Sequence, residues 1–72
     1  MKENPISDFV KKRRKLLGIS QVELAEKAGV GLRFVREMEQ GKRTLRLDKV
    51  NQVLYLFGHI LSPTQIKDYG NE

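Results

Sequence analysis

Two short helical patterns separated by a glycine turn occupy residues 20–41, and this stretch constrains the fold more than any other part of the chain. Ser20 and Glu23 have the spacing of a capping box, which starts a helix by satisfying its first free amides. Gly29 can end that helix, because glycine takes the left-handed conformation of a C-cap without strain. Helical spacing of apolar residues resumes at residue 31 or 32 and ends before Gly41. The pattern predicts two helices joined by a tight turn, the second with arginines on its outer face.

The flanking segments predict one further helix on each side. Asn4 and Pro5 form a start signal, as cap and first helical residue, for a helix over residues 5–17. Another helix is expected from Leu47 or Asp48 to Phe57. Apolar side chains of these segments, and of the loop that precedes the last helix, are expected to face the core: Ile6, Phe9, Val10, Leu17, Leu45, Leu47, Val50, Val53, Leu54 and Phe57.

Composition limits the classes of function. The chain has 72 residues, no cysteine and a net charge of +5, so we expect no disulfide or zinc finger, and the charge suits a polyanionic partner. The lack of cysteine fits a reducing compartment, and we expect a cytoplasmic location. No apolar run reaches the roughly 18 residues of a membrane span. Because no nucleophile–base pair, phosphate-binding loop or metal-ligand cluster stands out, we expect no enzyme activity, cofactor or metal.

Residues 20–41 resemble the helix-turn-helix of the lambda-repressor-like family, also called the Cro or XRE family. Gln21 opens the first helix of the motif, Gly29 makes the turn, Val35 anchors the second helix, and Glu39 with Gly41 closes it. The resemblance covers about residues 6–61. It implies an all-α, single-domain fold of four to five helices over residues 1–72, with a tail at 62–72, that binds double-stranded DNA and regulates transcription.

A narrower resemblance covers residues 31–42, 44–54 and 56–59, which are similar to HipB-like antitoxins. Such proteins are dimeric repressors partnered with HipA-like kinase toxins, so the resemblance implies an autoregulating antitoxin. The tail after Pro63 is shorter than the toxin-docking extension of some members. The alternative is a protein-interaction module or an antitoxin that acts mainly through its toxin, without DNA readout.

The resemblance also implies which side chains meet DNA. The base-reading or groove-facing positions are Leu32, Arg33, Arg36 and Glu37, and the positions expected at phosphates are Gln21, Arg13, Lys42 and Arg43. Arg33 can pair with a guanine, whereas Glu37 either accepts from a cytosine amine or orients Arg33 four residues away. Phe34 either packs on the first helix of the motif or contacts a thymine methyl.

An ion pair is expected between Arg14 and Glu39. Arg14 lies between Val10 and Leu17 on the inner stripe of the first helix, and Glu39 ends the recognition helix. The family resemblance places a structural Arg–Glu pair at these positions. The pair would set the angle between the two helices.

Surplus apolar residues near the C-terminus predict a homodimer. Tyr55, Leu56, Ile60 and Leu61 exceed what one small core needs, and a two-fold partner would cover them. Residues 59–62 are expected to pair with their symmetry mate as a short antiparallel ribbon, which would fit a near-palindromic operator. In the competing hypothesis, residues 60 and 61 fold back on their own helix and the protein is monomeric. Ser62 and Pro63 could cap a last turn that carries Ile66 and Tyr69.

Overall fold

A computed structural model describes residues 4–66, which form four helices and no strand. The helices are α1 (Pro5–Leu17), α2 (Gln21–Ala28), α3 (Leu32–Glu39) and α4 (Leu47–Leu56). α3 packs against both α1 and α2, while α4 packs against α2. The all-α prediction is therefore confirmed for this part of the chain, which contains no fifth helix.

Local capping explains where the first two helices begin and end. The Asn4 side chain accepts hydrogen bonds from the amides of Ile6 and Ser7, both at 3.1 Å, so it caps α1. Ser20 and Glu23 form the predicted capping box at the start of α2, with distances of 3.1 and 2.8 Å. Gly29 ends α2 with φ at 75°, in the left-handed region, which turns the chain toward α3.

All four helices contribute to one core. Its most completely buried side chains are Val10, Leu24, Val35, Met38 and Val53. Ala25, Val50 and Leu54 are also buried, and half-buried apolar side chains from the helices and connections pack around this set. Ala25, a small residue, is one of the buried side chains of α2, and α2 is the helix that both α3 and α4 contact.

Two leucines expected in the core are exposed. Leu17 is 59% exposed because it is the last residue of α1, beyond Arg14, whose side chain fills the inner stripe at that end. Leu47 is 70% exposed because it is the first residue of α4, and the core begins one turn later at Val50. Leu45 is half-buried against the core, as expected.

The segment after α4 returns toward its own helix. The His59 amide donates to the Leu54 carbonyl at 2.9 Å, and the Leu61 amide donates to Asn51 Oδ1 at 2.8 Å. Leu61 is consequently half-buried against the core, as the competing hypothesis expects of it, whereas Ile60 is exposed. Residues 61–66 form no helical turn, and the part of the expected last turn at Tyr69 lies outside the described residues.

Candidate nucleic-acid interface

α3 presents basic side chains on the face opposite the core. Val35 and Met38 are buried, while Arg33 and Arg36 point outward, as helical spacing requires. The Arg33 side chain is 92% exposed, and Arg36 is also exposed. The outer face of α3 can therefore approach a polyanionic groove without any change in the core.

The two apolar candidates on α3 lie closer to the core than the arginines. Leu32 and Phe34 are both half-buried, and both pack against the core cluster. Leu32 thus keeps only part of its surface for contact with a base. The position of Phe34 favours the packing role that the sequence left open.

Glu37 connects α3 to the basic loop that follows it. Its Oε2 accepts from Arg33 Nε at 3.3 Å, and its Oε1 accepts from Lys42 Nζ at 3.4 Å. The Lys42 amide also donates to the Glu37 carbonyl, at 3.0 Å. One carboxylate therefore holds a cation of α3 and a cation of the loop together.

The residues expected at phosphates lie in three separate places. Lys42 and Arg43 are exposed in the loop after α3. Gln21 is half-buried at the first residue of α2, where free amides and the helix dipole favour an anion. The Arg13 guanidinium lies over the Phe9 ring, 5.0 Å from its centroid, on a side of α1 that also meets His59. Arg13 thus packs on its own helix, against a ring that also meets Phe57 and His59 just after α4.

A buried ion pair lies beneath this surface. Arg14 Nε donates to Glu39 Oε2 at 2.7 Å, and Arg14 Nη2 donates to Oε1 at 3.0 Å. Gln21 Nε2 donates to Glu39 Oε1 at 3.1 Å, and Arg14 Nη1 donates to the carbonyl of Ile19 at 3.0 Å. The Glu39 side chain is only 4% exposed, so its charge is compensated by groups from α1 and α2.

The ion pair keeps both partners charged. Burial alone would raise the pKa of Glu39, but the hydrogen bonds from Arg14 and Gln21, with the charges of Arg14 and Lys11, lower this pKa below its usual range. The hydrogen bond with Glu39 raises the pKa of Arg14. A fixed arginine–carboxylate pair of this geometry holds α1 against the end of α3 and limits how α3 can rotate.

Comparisons with known proteins agree with this geometry. A family model described as helix-turn-helix matches residues 10–58, more than half of the chain. The chain belongs to this helix-turn-helix family, of the Cro/XRE type. It is 46% identical over 61 residues to a protein of Sinorhizobium fredii (strain NBRC 101917 / NGR234) named as the uncharacterized HTH-type transcriptional regulator y4mF. The alignment covers 81% of this chain and 80% of that protein.

The broad resemblance seen in the sequence is thereby confirmed. Family and relative together support a DNA-binding transcriptional regulator, with α2 and α3 as the helix-turn-helix motif. The narrower resemblance to HipB-like antitoxins stays a prediction. Among residues 4–66 no helix is long and apolar enough to cross a membrane, and no group of three potential metal ligands occurs.

Two side chains that support the motif were not anticipated from the sequence. The Gln52 side chain donates to the carbonyls of Ala28 and Gly29, at 3.2 and 3.3 Å, and so holds the turn of the motif from α4. The Ser7 hydroxyl donates to the Glu39 carbonyl. Ser7 carried a signal, a polar residue within the apolar stripe of α1, whereas Gln52 carried none because its role depends on how α4 crosses α2.

Proposed function

We propose that this helix-turn-helix protein is a sequence-specific repressor that binds double-stranded DNA through α3. The observation that carries the proposal is the exposed basic face of α3, continuous with the Lys42–Arg43 loop through Glu37. In proteins with this motif the second helix lies in the major groove, while the first crosses the backbone. Regulators of this family are usually not enzymes, and one acting on a chromosome would work in the cytoplasm.

Phosphate contacts would supply most of the affinity. Lys42 and Arg43 are exposed and would neutralise phosphates, Lys42 on leaving its ion pair with Glu37, which releases condensed counterions. Gln21 would meet a phosphate at the N-terminus of α2, although one of its amide hydrogens is engaged by Glu39. Arg13 is the weakest of the proposed phosphate contacts, because its guanidinium packs on Phe9.

Base contacts would supply the specificity. Arg33 has the exposure and the length to pair with the acceptors of a guanine, and Arg36 faces outward on the same helix. Leu32 would contribute at most a limited contact with a thymine methyl, because part of it packs on the core. Glu37 would either accept from a base amine or orient Arg33.

Duplex binding at a series of salt concentrations tests the proposal. We expect the logarithm of the affinity to fall steeply with the logarithm of the salt concentration, by about 0.9 per phosphate contact. A protein without DNA readout would show weak binding to every duplex and no preferred sequence after selection from a random pool.

Two substitutions distinguish recognition of bases from electrostatic binding to phosphates. Arg33→Ala should weaken binding to the selected duplex by about 1–3 kcal/mol and relax the preference at one base position. Lys42→Ala should weaken binding to all sequences similarly and lower the salt slope by about one per protomer. If Arg33→Ala left the affinities for selected and random duplexes unchanged, α3 would not be the recognition helix.

We further propose a symmetric homodimer built on α4 and the segment after it. Tyr55 and Ile60 are 57% and 59% exposed, and Leu56 is 39% exposed, so together they offer apolar surface for a partner. Leu61 would contribute less, because it packs on its own core. A two-fold axis through this surface would present two recognition helices to a near-palindromic operator, about 34 Å apart.

The backbone after α4 is compatible with a ribbon between protomers. The amides of His59 and Leu61 are bonded to their own protomer, while residues 4–66 supply no partner for the amides of Ile60 and Ser62. Backbone amides without a partner in their own protomer are available to a symmetry mate. Pairing across the dimer would satisfy these groups.

The antitoxin role is proposed from the HipB-like stretches at residues 31–42, 44–54 and 56–59. The expected partner is a HipA-like kinase encoded beside this gene, with which the protein would co-purify and whose promoter it would repress. Failure of the neighbouring gene product to bind, with DNA binding intact, would leave a repressor without a toxin.

A further inference from the structure

Glu37 is the only acidic residue of α3 whose carboxylate lies on the basic surface, since Glu39 is buried in the ion pair with Arg14. The Glu37 side chain is 27% exposed, between Arg33, which is 92% exposed, and Lys42, which is 46% exposed. Its carboxylate accepts from both cations, at 3.3 and 3.4 Å. The two cations proposed to read a base and to bind a phosphate therefore share one counter-charge.

The shared carboxylate has a consequence for any duplex that approaches. Arg33 contacts Glu37 through Nε and Lys42 contacts it through Nζ, so a move of either cation toward DNA weakens its ion pair with Glu37. The Glu37 carboxylate then faces a polyanion. Its negative charge is unfavourable there unless a hydrogen-bond donor replaces the cations. Phosphates and most groove atoms are acceptors, whereas cytosine N4 and adenine N6 are donors in the major groove.

We propose that Glu37 is a specificity-determining residue that suppresses binding to non-specific DNA. On most sequences its carboxylate repels the duplex and holds back Arg33 and Lys42. On the operator, a cytosine or adenine amine donates a hydrogen bond to Glu37 in place of the two cations. Arg33 and Lys42 can then turn to guanine and phosphate. The inference rests on the proposed function, and it assigns to Glu37 the discrimination between operator and random DNA.

The position of Glu37 distinguishes it from an ordinary surface carboxylate. Exposed ion pairs contribute little to stability, so the fold does not depend on these contacts. The Lys42 amide bonds to the Glu37 carbonyl at 3.0 Å, which keeps the loop beside α3 even without the carboxylate. A substitution of Glu37 should accordingly change DNA binding far more than it changes folding.

The decisive experiment compares Glu37→Gln, Glu37→Asp and Glu26→Gln with the wild type. Glu26 is exposed on α2 and forms no ion pair within residues 4–66, so its substitution is a control for the change in net charge. The probes are a random-sequence duplex and a duplex that the wild-type protein selects from a random pool. Thermal unfolding of each variant checks that the fold is retained.

We expect Glu37→Gln to bind the random duplex about threefold to tenfold more tightly than the wild type, and by more than Glu26→Gln does. The ratio of selected to random affinity should fall about tenfold, because the amide no longer penalises a base that offers only acceptors. Glu37→Asp keeps the charge and should therefore keep the random-duplex affinity close to that of the wild type.

Two results would overturn the inference. One is an increase in random-duplex affinity that is equal for Glu37→Gln and Glu26→Gln, which would reduce the effect to net charge. The other is an equal loss of affinity for both duplexes, which would make Glu37 a residue that only positions Lys42. Failure of the wild type itself to bind any duplex in a salt-dependent way would instead refute the proposed function.

Discussion

At the scale of single residues, Glu39 is the buried carboxylate whose charge must be compensated by its neighbours. A carboxylate that is 4% exposed needs compensation for lost hydration, and the two nitrogens of Arg14 with the amide of Gln21 provide it. The sequence and the family resemblance together pointed to Arg14 and Glu39. The third partner, Gln21, could not be predicted from the sequence, because its distance from Glu39 depends on how α2 meets α3.

The pH dependence of stability should report this carboxylate. Glu39→Gln leaves Arg14 without its charged partner and should lower the free energy of unfolding at neutral pH by about 2–4 kcal/mol. Because folding lowers the pKa of Glu39, the ionised form stabilises the protein above the unfolded pKa of about 4.3. That stabilisation is lost as the pH falls through the lower pKa of the folded state.

The difference between wild type and Glu39→Gln should accordingly shrink as the pH is lowered below about 4. Urea unfolding at a series of pH values measures it. Glu26→Gln, at an exposed position, serves as the control and should follow the wild type. A difference that stays constant down to the acid limit would mean that the charge of Glu39 does not carry the effect.

At the scale of helices and turns, local chemistry was predictable and packing across helices was not. The cap at Asn4, the capping box at Ser20 and the turn at Gly29 depend on residues close in sequence, and all three were predicted. Leu17 and Leu47 were wrongly assigned to the core because periodicity does not say where a helix runs past its neighbours. The ends of a helix are where that uncertainty matters most.

The turn of the motif offers a test at this scale. Gly29 has φ at 75°, and a Cβ there would meet Gln52 Nε2 at 3.6 Å, an ordinary contact distance. The cost of Gly29→Ala is therefore conformational, and we expect a loss of about 1 kcal/mol in the free energy of unfolding. Gly29→Asn should lose less, because asparagine enters the left-handed region more readily than alanine. Chemical denaturation of the two variants measures this, and better tolerance of alanine than of asparagine would contradict it.

At the scale of the whole molecule, the arrangement of exposed apolar surface bears on assembly. Sequence counting identified a surplus near the C-terminus, and Tyr55, Leu56 and Ile60 are indeed exposed. It did not foresee that Asn51 would hold Leu61 against the core, since that bond joins residues ten positions apart across a turn. It also passed over Leu16, which is 81% exposed on α1.

Sedimentation at micromolar concentration tests the dimer. We expect the wild type to exceed the 8.3 kDa of one chain and to dissociate on dilution. Leu56→Glu should shift it toward the monomer, because a carboxylate would be buried without a partner in the proposed interface. Leu16→Glu changes an exposed leucine outside that interface and should leave the association unchanged. A single 8.3 kDa species at every concentration would rule the dimer out.

The inward amides of His59 and Leu61 limit how the length of this segment can change during evolution. The His59 amide belongs to the turn at Gly58 that closes α4, and the Leu61 amide is held by Asn51, so a single residue, Ile60, lies between two points fixed on the same helix. An insertion between them would lengthen this connection and displace the Leu61 amide from Asn51. Descendants of this chain should therefore keep the spacing of these two residues while the chain beyond them varies in length.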